Sequence, residues 1–224
     1  MHYKLPTGIA GKGDPANFIV VEDLTNFKVN QTYINGLLVA ESGKSFIPYI
    51  KEASINEFNA MPIVATAIEV ATIEYPSNAN GEIPVIEAID GQLITNCLWM
   101  PAKIEDHKIV SNTKEDVLKM VVYNRYFNAP PKMAFIKNFG FTQGAIASTV
   151  AHDSHNIIAI GVDDDSIVNA INLVIEQKGG ISCVNKESQK VLGLPVAGLM
   201  SAQEPYNVCL LYTSPSPRDA HEPR

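Results

Sequence analysis

A chain of 224 residues, 46% apolar and 18% charged, is long and apolar enough to bury a core, as one large domain or two small ones. Its net charge of −7, with no cluster of lysines and arginines and no basic helix, excludes nucleic acid and anionic membranes as principal partners. No apolar run approaches the ~20 residues that span a bilayer, and the N-terminus lacks the charged-then-apolar pattern of a secretion signal.

The first elements read as β-structure. Gly13-Asp14-Pro15 is a turn signal ahead of the apolar run at 17–21. Residues 28–33 alternate, and Asn35-Gly36 separates them from Leu37-Leu38-Val39. Asn-Gly between two such runs predicts a tight hairpin, because both residues tolerate positive φ. Residues 1–45 are therefore expected to be strands of a small β-sandwich, and 46–59, rich in turn residues, a connection.

From residue 60 onward, apolar segments punctuated by Gly, Pro and Asn predict strands at 63–75, 84–94, 117–126, 133–139 and 145–161. A helix is predicted over 164–178. Ile167, Ala170, Ile171, Val174 and Ile175 follow the i, i+3, i+4, i+7, i+8 spacing of one buried face. Asp163, Asp164 and Asp165 stand at its positive end, one of them as the cap, and Gly179-Gly180 supplies the left-handed stop. A strand follows at 181–184, then a Gly/Pro-broken apolar loop at 192–200. The expected class is α+β: the small β-sandwich segment, then a mixed-sheet module over 60–201 with one prominent helix. Residues 202–224 carry no apolar period, and 211–219 resemble translated adapter or vector sequence. This tail is expected to be disordered and foreign to the fold.

The densest chemistry lies at His152-Asp153-Ser154-His155-Asn156, where two imidazoles, a carboxylate, a hydroxyl and an amide stand consecutively between apolar flanks. Apolar flanks predict a buried strand, and buried polar groups need partners. As a metal pair, His152 and His155 suit a strand poorly, since residues three apart on a strand point to opposite faces and no further ligand is near in sequence. Structural hydrogen bonding and lining of a substrate site remain as roles for His152, Asp153, Ser154 and His155. The acids Glu69, Glu74, Glu87, Asp90, Glu105 and Asp106, with Arg125, Lys132 and Lys137, read as a solvated surface. Cys97, Cys183 and Cys209 are scattered, without a Cys-x-x-Cys. They read as small core residues in a reducing, cytoplasmic setting. The His-x-Glu and Pro-Cys-x-x-Cys signature of zinc-dependent cytidine-type deaminases is absent, as is a phosphate-binding GxxxxGK[ST].

Residues 140–161, 163–180 and the run Leu194-Pro195-Val196-Ala197-Gly198-Leu199-Met200-Ser201 resemble the C-terminal module of bacterial adenine deaminases. Gly8, Gly13-Asp14-Pro15-Ala16-Asn17-Phe18-Ile19-Val20-Val21 and Tyr33-Ile34-Asn35-Gly36 resemble the segment of an amidohydrolase that returns after its barrel. The resemblance covers residues 4–201. It implies a parent enzyme that hydrolyses adenine to hypoxanthine and ammonia in purine salvage or catabolism. The reaction would run at a dinuclear manganese or iron centre in a TIM-like barrel, where metal-activated water attacks C6 and carboxylate and imidazole groups move protons.

In that family the metal ligands include a His-x-His pair on the first barrel strand. The five histidines of this chain, His2, His107, His152, His155 and His221, include no such pair. The chain is therefore expected to be an internal fragment that binds no metal and is inactive alone, with adenine the substrate of the intact parent and a homo-oligomer its assembly. The competing expectation is a non-catalytic module for subunit association or for closing the active site.

Overall fold

The computed structural model describes residues 11–50, 55–70 and 74–212. The chain divides into two compact units, Met1–Lys51 and Glu52–Arg224. In the first, β1 (Phe18–Val21), β2 (Val29–Ile34), β3 (Leu37–Glu41) and β4 (Lys44–Ser45) form an antiparallel sheet in that order. Asn35 (φ 51°) and Gly36 (φ 78°) make the tight turn between β2 and β3, both left-handed as a two-residue hairpin turn requires. The turn is anchored from the chain before β1: Gly36 N–H donates to Ala16 O (2.9 Å) and Asn35 N–H to Asn17 Oδ1 (2.8 Å). Phe18 and Tyr33 stack at 4.7 Å across the strands. No described residue of this sheet is buried. It is a single layer.

The second unit contains β5 (Glu82–Ala88), β6 (Thr95–Pro101), β7 (Lys103–Glu105), β8 (Lys108–Val110), β9 (Val117–Tyr123), β10 (Lys132–Lys137), β11 (Ala145–Ser148), β12 (Ile157–Gly161), α1 (Asp164–Glu176), β13 (Gly180–Val184), β14 (Gln189–Gly193) and α2 (Pro205–Tyr212). Eight strands form one sheet in the order β14-β13-β11-β12-β9-β10-β5-β6, while β7 and β8 make a separate hairpin. The β10–β5 pair is parallel and the other pairs antiparallel, so the sheet is mixed, with α1 its main helix. The α+β class expected from the sequence is the class of the fold.

Several expected elements differ. Residues 63–75 form no strand among those described there: Ala65–Ala67 is a short 3-10 turn, and 71–73 lie outside the described residues. The segment still packs inward, with Ile63, Ile68 and Val70 buried. The expected strand at 145–161 is two strands, β11 and β12, folded antiparallel with Ala147 opposite Ala159. Polar residues at its centre turn the chain there instead of continuing it. β6, β7, β8 and β14 carry weak period-two patterns and were not expected. In the tail, residues 205–212 form α2, where the sequence led us to expect no regular structure.

The helix is placed as its apolar spacing predicts. Ile167, Ala170, Ile171 and Val174 are fully buried against Ala145, Ala147, Ala159 and Val184 on one face of the sheet. Small residues on those strands allow close approach: a Cβ at Gly161 would lie 2.6 Å from Ile167 Cγ1. Asp163 caps the helix, its carboxylate accepting from Ser166 N–H (2.8 Å) and Ser166 Oγ–H (2.9 Å). At the other end, Lys178 rather than a glycine takes the left-handed position (φ 56°). Lys178 N–H donates to Ile175 O (3.0 Å) and Gly179 N–H to Val174 O (2.9 Å), closing a Schellman turn. The two glycines instead allow tight passage, since a Cβ on Gly179 would meet Gly198 Cα at 2.7 Å.

Farther along the same sheet face, Val85, Val117 and Phe135 are buried with Val70, Ile83 and Ile109. Between the two clusters sits Lys119, 2% exposed, paired with Asp164 of the first helical turn and donating to Ile68 O (3.2 Å). Replacing Ile171 with Ala removes a fully buried side chain and is expected to lower unfolding free energy by about 2–5 kcal/mol. Replacing exposed Glu176 with Ala should change it by less than about 0.5 kcal/mol. Urea titration of both variants followed by circular dichroism measures the difference.

Candidate functional site

His152, Asp153, Ser154 and His155 occupy the turn joining β11 to β12. Asp153 (φ 69°) and His155 (φ 48°) reverse the chain in left-handed conformations. The turn is closed by Ser154 N–H to His152 O (3.0 Å) and His155 N–H to Ala151 O (2.8 Å). Contrary to the expectation of burial, the His152 and Asp153 side chains are 94% and 90% exposed, facing each other with Nδ1 and Oδ1 2.9 Å apart. Only His155 turns inward, with its Nδ1 buried and unpartnered. Exposure spares the His152 and Asp153 side chains the desolvation cost that burial would impose.

The tip is fixed from below by a residue the sequence reading assigned to the solvated surface. Arg125, just beyond β9, is 4% exposed. Its Nη2 donates to Ala197 O (2.7 Å) and Tyr126 Oη (3.0 Å), and its Nη1 to Asn56 Oδ1 (3.1 Å) and Glu57 O (3.4 Å). Its guanidinium carbon lies 4.5 Å from the centre of the Tyr126 ring. Tyr126 Oη–H donates in turn to Ser154 O (3.0 Å), and Arg125 N–H to Asn156 Oδ1 (3.4 Å). Two segments distant in sequence, at 56–57 and 197, thus meet on one guanidinium, and 152–156 is tied to the same residue pair through the Arg125 backbone N–H and the Tyr126 hydroxyl. Glycine is required at 198, because a Cβ there would lie 2.7 Å from Arg125 Nη1. Thr149, fully buried, completes the knot: its Oγ1 donates to Gly198 O (2.6 Å) and accepts from Gly180 N–H (2.8 Å). The one available sequence signal was the Leu194–Ser201 run, whose small residues imply close backbone approach; Arg125 itself carries none.

The second face of the sheet bears another feature. Leu118, Ile136 and Ile160 are buried there, and Ile86, Met120, Ile146, Phe139 and Phe141 are only partly covered. A cleft of about 1100 Å³ opens on this face, with Phe139, Phe141 and Ile146 on its apolar side and Glu87, Asp90 and Cys183 among its polar lining. Glu87 accepts from Asn96 Nδ2 (2.8 Å), and Asn138 Nδ2 donates to Ala88 O (2.7 Å). Burial pushes the Cys183 thiol pKa upward, which the charge of Lys190 partly opposes. Cys97 and Cys209 are exposed and Cys183 is half-buried, so none of the three is the core residue the sequence suggested. The reason is position: Cys97 lies on an edge strand and Cys183 on the sparsely covered face.

Among the described residues no three His, Cys, Asp or Glu side chains converge as ligands. Asp163 and Asp164, at the helix start, are engaged by Ser166 and Lys119. His152 pairs with one carboxylate on an open turn, and His2 and His221 lie outside the described residues. This donor set does not fit a dinuclear site.

Residues 92–214 match the family described as adenine deaminase C-terminal domain. The chain belongs to the adenine deaminase C-terminal domain family. It is 42% identical over 214 residues to an adenine deaminase of Borreliella afzelii (strain PKo), covering 95% of this chain and 38% of that protein. Similarity to adenine deaminases of Methanosarcina acetivorans (43% over 218 residues, 94% and 39% covered) and Salinibacter ruber (43% over 209 residues, 92% and 37% covered) is alike. The chain thus spans under two fifths of the length of these relatives. The family match takes in the cleft residues from Asn138 onward, Arg125 with Tyr126, Thr149 and Ala197, the 152–156 tip and α2, and leaves out Asn56, Glu57 and the cleft residues at 87–91.

Substituting Arg125 with Leu would strand Ala197 O and Asn56 Oδ1 without a donor, and should destabilise the protein by about 3 kcal/mol. His152→Ala on the open turn should be neutral within about 0.5 kcal/mol. Thermal unfolding of the two variants checks the contrast. With its pKa raised, Cys183 holds its proton to higher pH, so at pH 8 iodoacetamide should label Cys97 ahead of Cys183. The gap should narrow as pH rises, read by peptide mass spectrometry.

Proposed function

We propose that this chain is the C-terminal module of a hydrolytic adenine deaminase, an enzyme of purine salvage and catabolism that converts adenine and water to hypoxanthine and ammonia. The observation that carries this reading is the family match over 92–214, joined by 42% identity along 95% of the chain to a protein named adenine deaminase. The intact enzyme depends on a dinuclear centre of manganese or iron, held by the remainder of the parent, since the donor set described here does not fit one.

Within that enzyme the module is accessory, and its 152–155 tip is the part assigned to the substrate side. Exposure of His152 and Asp153, with the Arg125–Tyr126 anchorage beneath, supports this: side chains free to meet a ligand stand on a fixed backbone. Scattered cysteines without a Cys-x-x-Cys fit a reducing cytoplasm, and the net charge of −7 fits an enzyme of small molecules rather than one that engages nucleic acid or membrane. No helix among the described residues is long and apolar enough to cross a membrane.

Purified, the 224-residue chain should release no ammonia from adenine above blank with added Mn²⁺ or Fe²⁺, whereas the intact parent should do so in a metal-dependent way. Metal-dependent turnover by the chain alone would overturn the accessory assignment. In the intact parent, His155→Ala is expected to lower kcat/KM by about tenfold, equal to roughly 1.4 kcal/mol of transition-state binding. Unchanged kinetics would remove the tip from the substrate side.

A further inference from the structure

The described residues hold two buried side-chain polar atoms without a hydrogen-bond partner, Arg125 Nε and His155 Nδ1. Both belong to the ties beneath the tip. Arg125 and Tyr126 bond to each neighbour of His155: the Tyr126 hydroxyl donates to Ser154 O, and the Arg125 backbone N–H to Asn156 Oδ1. Strand register brings the two residues close as well. Tyr123 faces Ile157 in the last pair of β9 with β12, and Arg125 and His155 each stand two residues beyond that pair. Covalent geometry then aims the donor. In a guanidinium the Nε–H bond and one N–H bond of Nη2 run along the same edge. Nη2 donates to Ala197 O (2.7 Å) and to Tyr126 Oη (3.0 Å), and that phenol holds the carbonyl of the peptide that enters His155. The edge that bears Nε–H is the edge tied to the tip.

The two atoms complement each other chemically. Arg125 Nε–H can only donate, whereas His155 Nδ1 accepts or donates according to the tautomer. A positive guanidinium beside it favours a lone pair over an N–H dipole, because the lone pair turns negative charge toward the cation. We propose that Arg125 is a positioning residue for His155: its Nε–H donates to one buried water, which donates in turn to Nδ1 and so places the imidazole proton on Nε2. Such a water removes from both atoms the cost of burial without a partner. His155 as a whole is half-buried, so with Nδ1 turned inward the Nε2–H group is the one left to meet a ligand. A donor there suits the in-plane lone pair of an unprotonated purine ring nitrogen. That ligand rests on the substrate-side reading above; the tautomer does not.

The full chain, isotope-labelled at its histidine ring nitrogens, reports the tautomer by nuclear magnetic resonance, with the His155 signals assigned by their loss in His155→Phe. In neutral His155, Nδ1 should appear unprotonated and Nε2 protonated, as a single state. Arg125→Gln with the wild-type circular dichroism spectrum should show the two tautomers averaged. A proton on Nδ1, an averaged wild-type signal, or a tautomer unmoved in folded Arg125→Gln overturns the proposal. Should Arg125→Gln fail to fold, the Arg125 Nε–H proton decides. Its exchange with solvent should quicken by about tenfold in His155→Phe, which removes the acceptor. Unchanged exchange overturns the bridge. In the intact parent, His155→Gln, whose amide keeps a donor, should recover most of the about tenfold in kcat/KM that His155→Ala loses. A glutamine variant no better than the alanine one overturns the donor assignment. Unchanged kinetics in both removes the tip from the substrate side and leaves the tautomer standing.

Discussion

The burial of one face of α1 against β11, β12 and β13 is the constraint on which the larger unit depends. Ile167, Ala170, Ile171 and Val174 lose all contact with water at strands whose facing residues are mostly small, among them Ala145, Ala147, Ala159, Gly161 and Ser182, with Ile157 and Val184 at the margins of the contact. Each large aliphatic side chain so buried contributes on the order of 1.5–3 kcal/mol. The small strand residues are what allow the helix to come so near. Ser182 keeps the surface polar at one point without a penalty, its Oγ–H donating to Ala170 O (2.7 Å). With the helix seated, its first turn delivers Asp164 to Lys119 and its last turn delivers Gly179 to the Gly198 loop.

Two cations are buried around this packing, and their settings differ. Lys119 meets a carboxylate and two polar neighbours: its own N–H donates to Ser111 Oγ (2.8 Å), and Ser111 in turn donates to Gly161 O (3.0 Å). Its burial therefore joins the sheet to the helix start and the 60–70 segment. Arg125 is held by carbonyl, amide and phenol oxygens, with no carboxylate among the partners described. A planar guanidinium suits that use better than an ammonium, because its two Nη groups reach two backbone oxygens, an amide and a phenol in different directions, while Nε is buried without a partner among the described residues. The cost of desolvating it is offset only if those oxygens stay in place, which makes the knot a mutual restraint among three loops rather than an isolated bond.

The two sheet faces divide the roles available to the module. One is covered by α1, the 60–70 segment and the β7–β8 hairpin and builds the core. The other is covered chiefly around Phe139 and Phe141 and keeps the cleft open. Function is expected where packing is incomplete or polar groups gather, and that leads to the tip at 152–156 and the cleft. Neither of them assembles a set of metal ligands among the described residues.

Local pattern by itself determined the Asn35-Gly36 hairpin, helix α1 with an aspartate cap among residues 163–165, the central strands β5, β9, β10 and β13, and the family resemblance through the Leu194–Ser201 run. Each of these rests on spacing or on φ preferences that neighbours in sequence decide. The polar tip was also legible as a place of interest, but its exposure was not, because apolar flanks signal equally a buried strand and a reversal between two strands. Tertiary structure alone decided that β6 and β14 are the sheet edges, that Cys97 is exposed, that Lys178 rather than Gly179 takes the left-handed cap, and that Arg125 is interior. Those outcomes depend on which distant segments arrive at the same place. Whether a charged side chain meets water or a ring of carbonyl oxygens is fixed by that arrival, and no spacing along the chain encodes it.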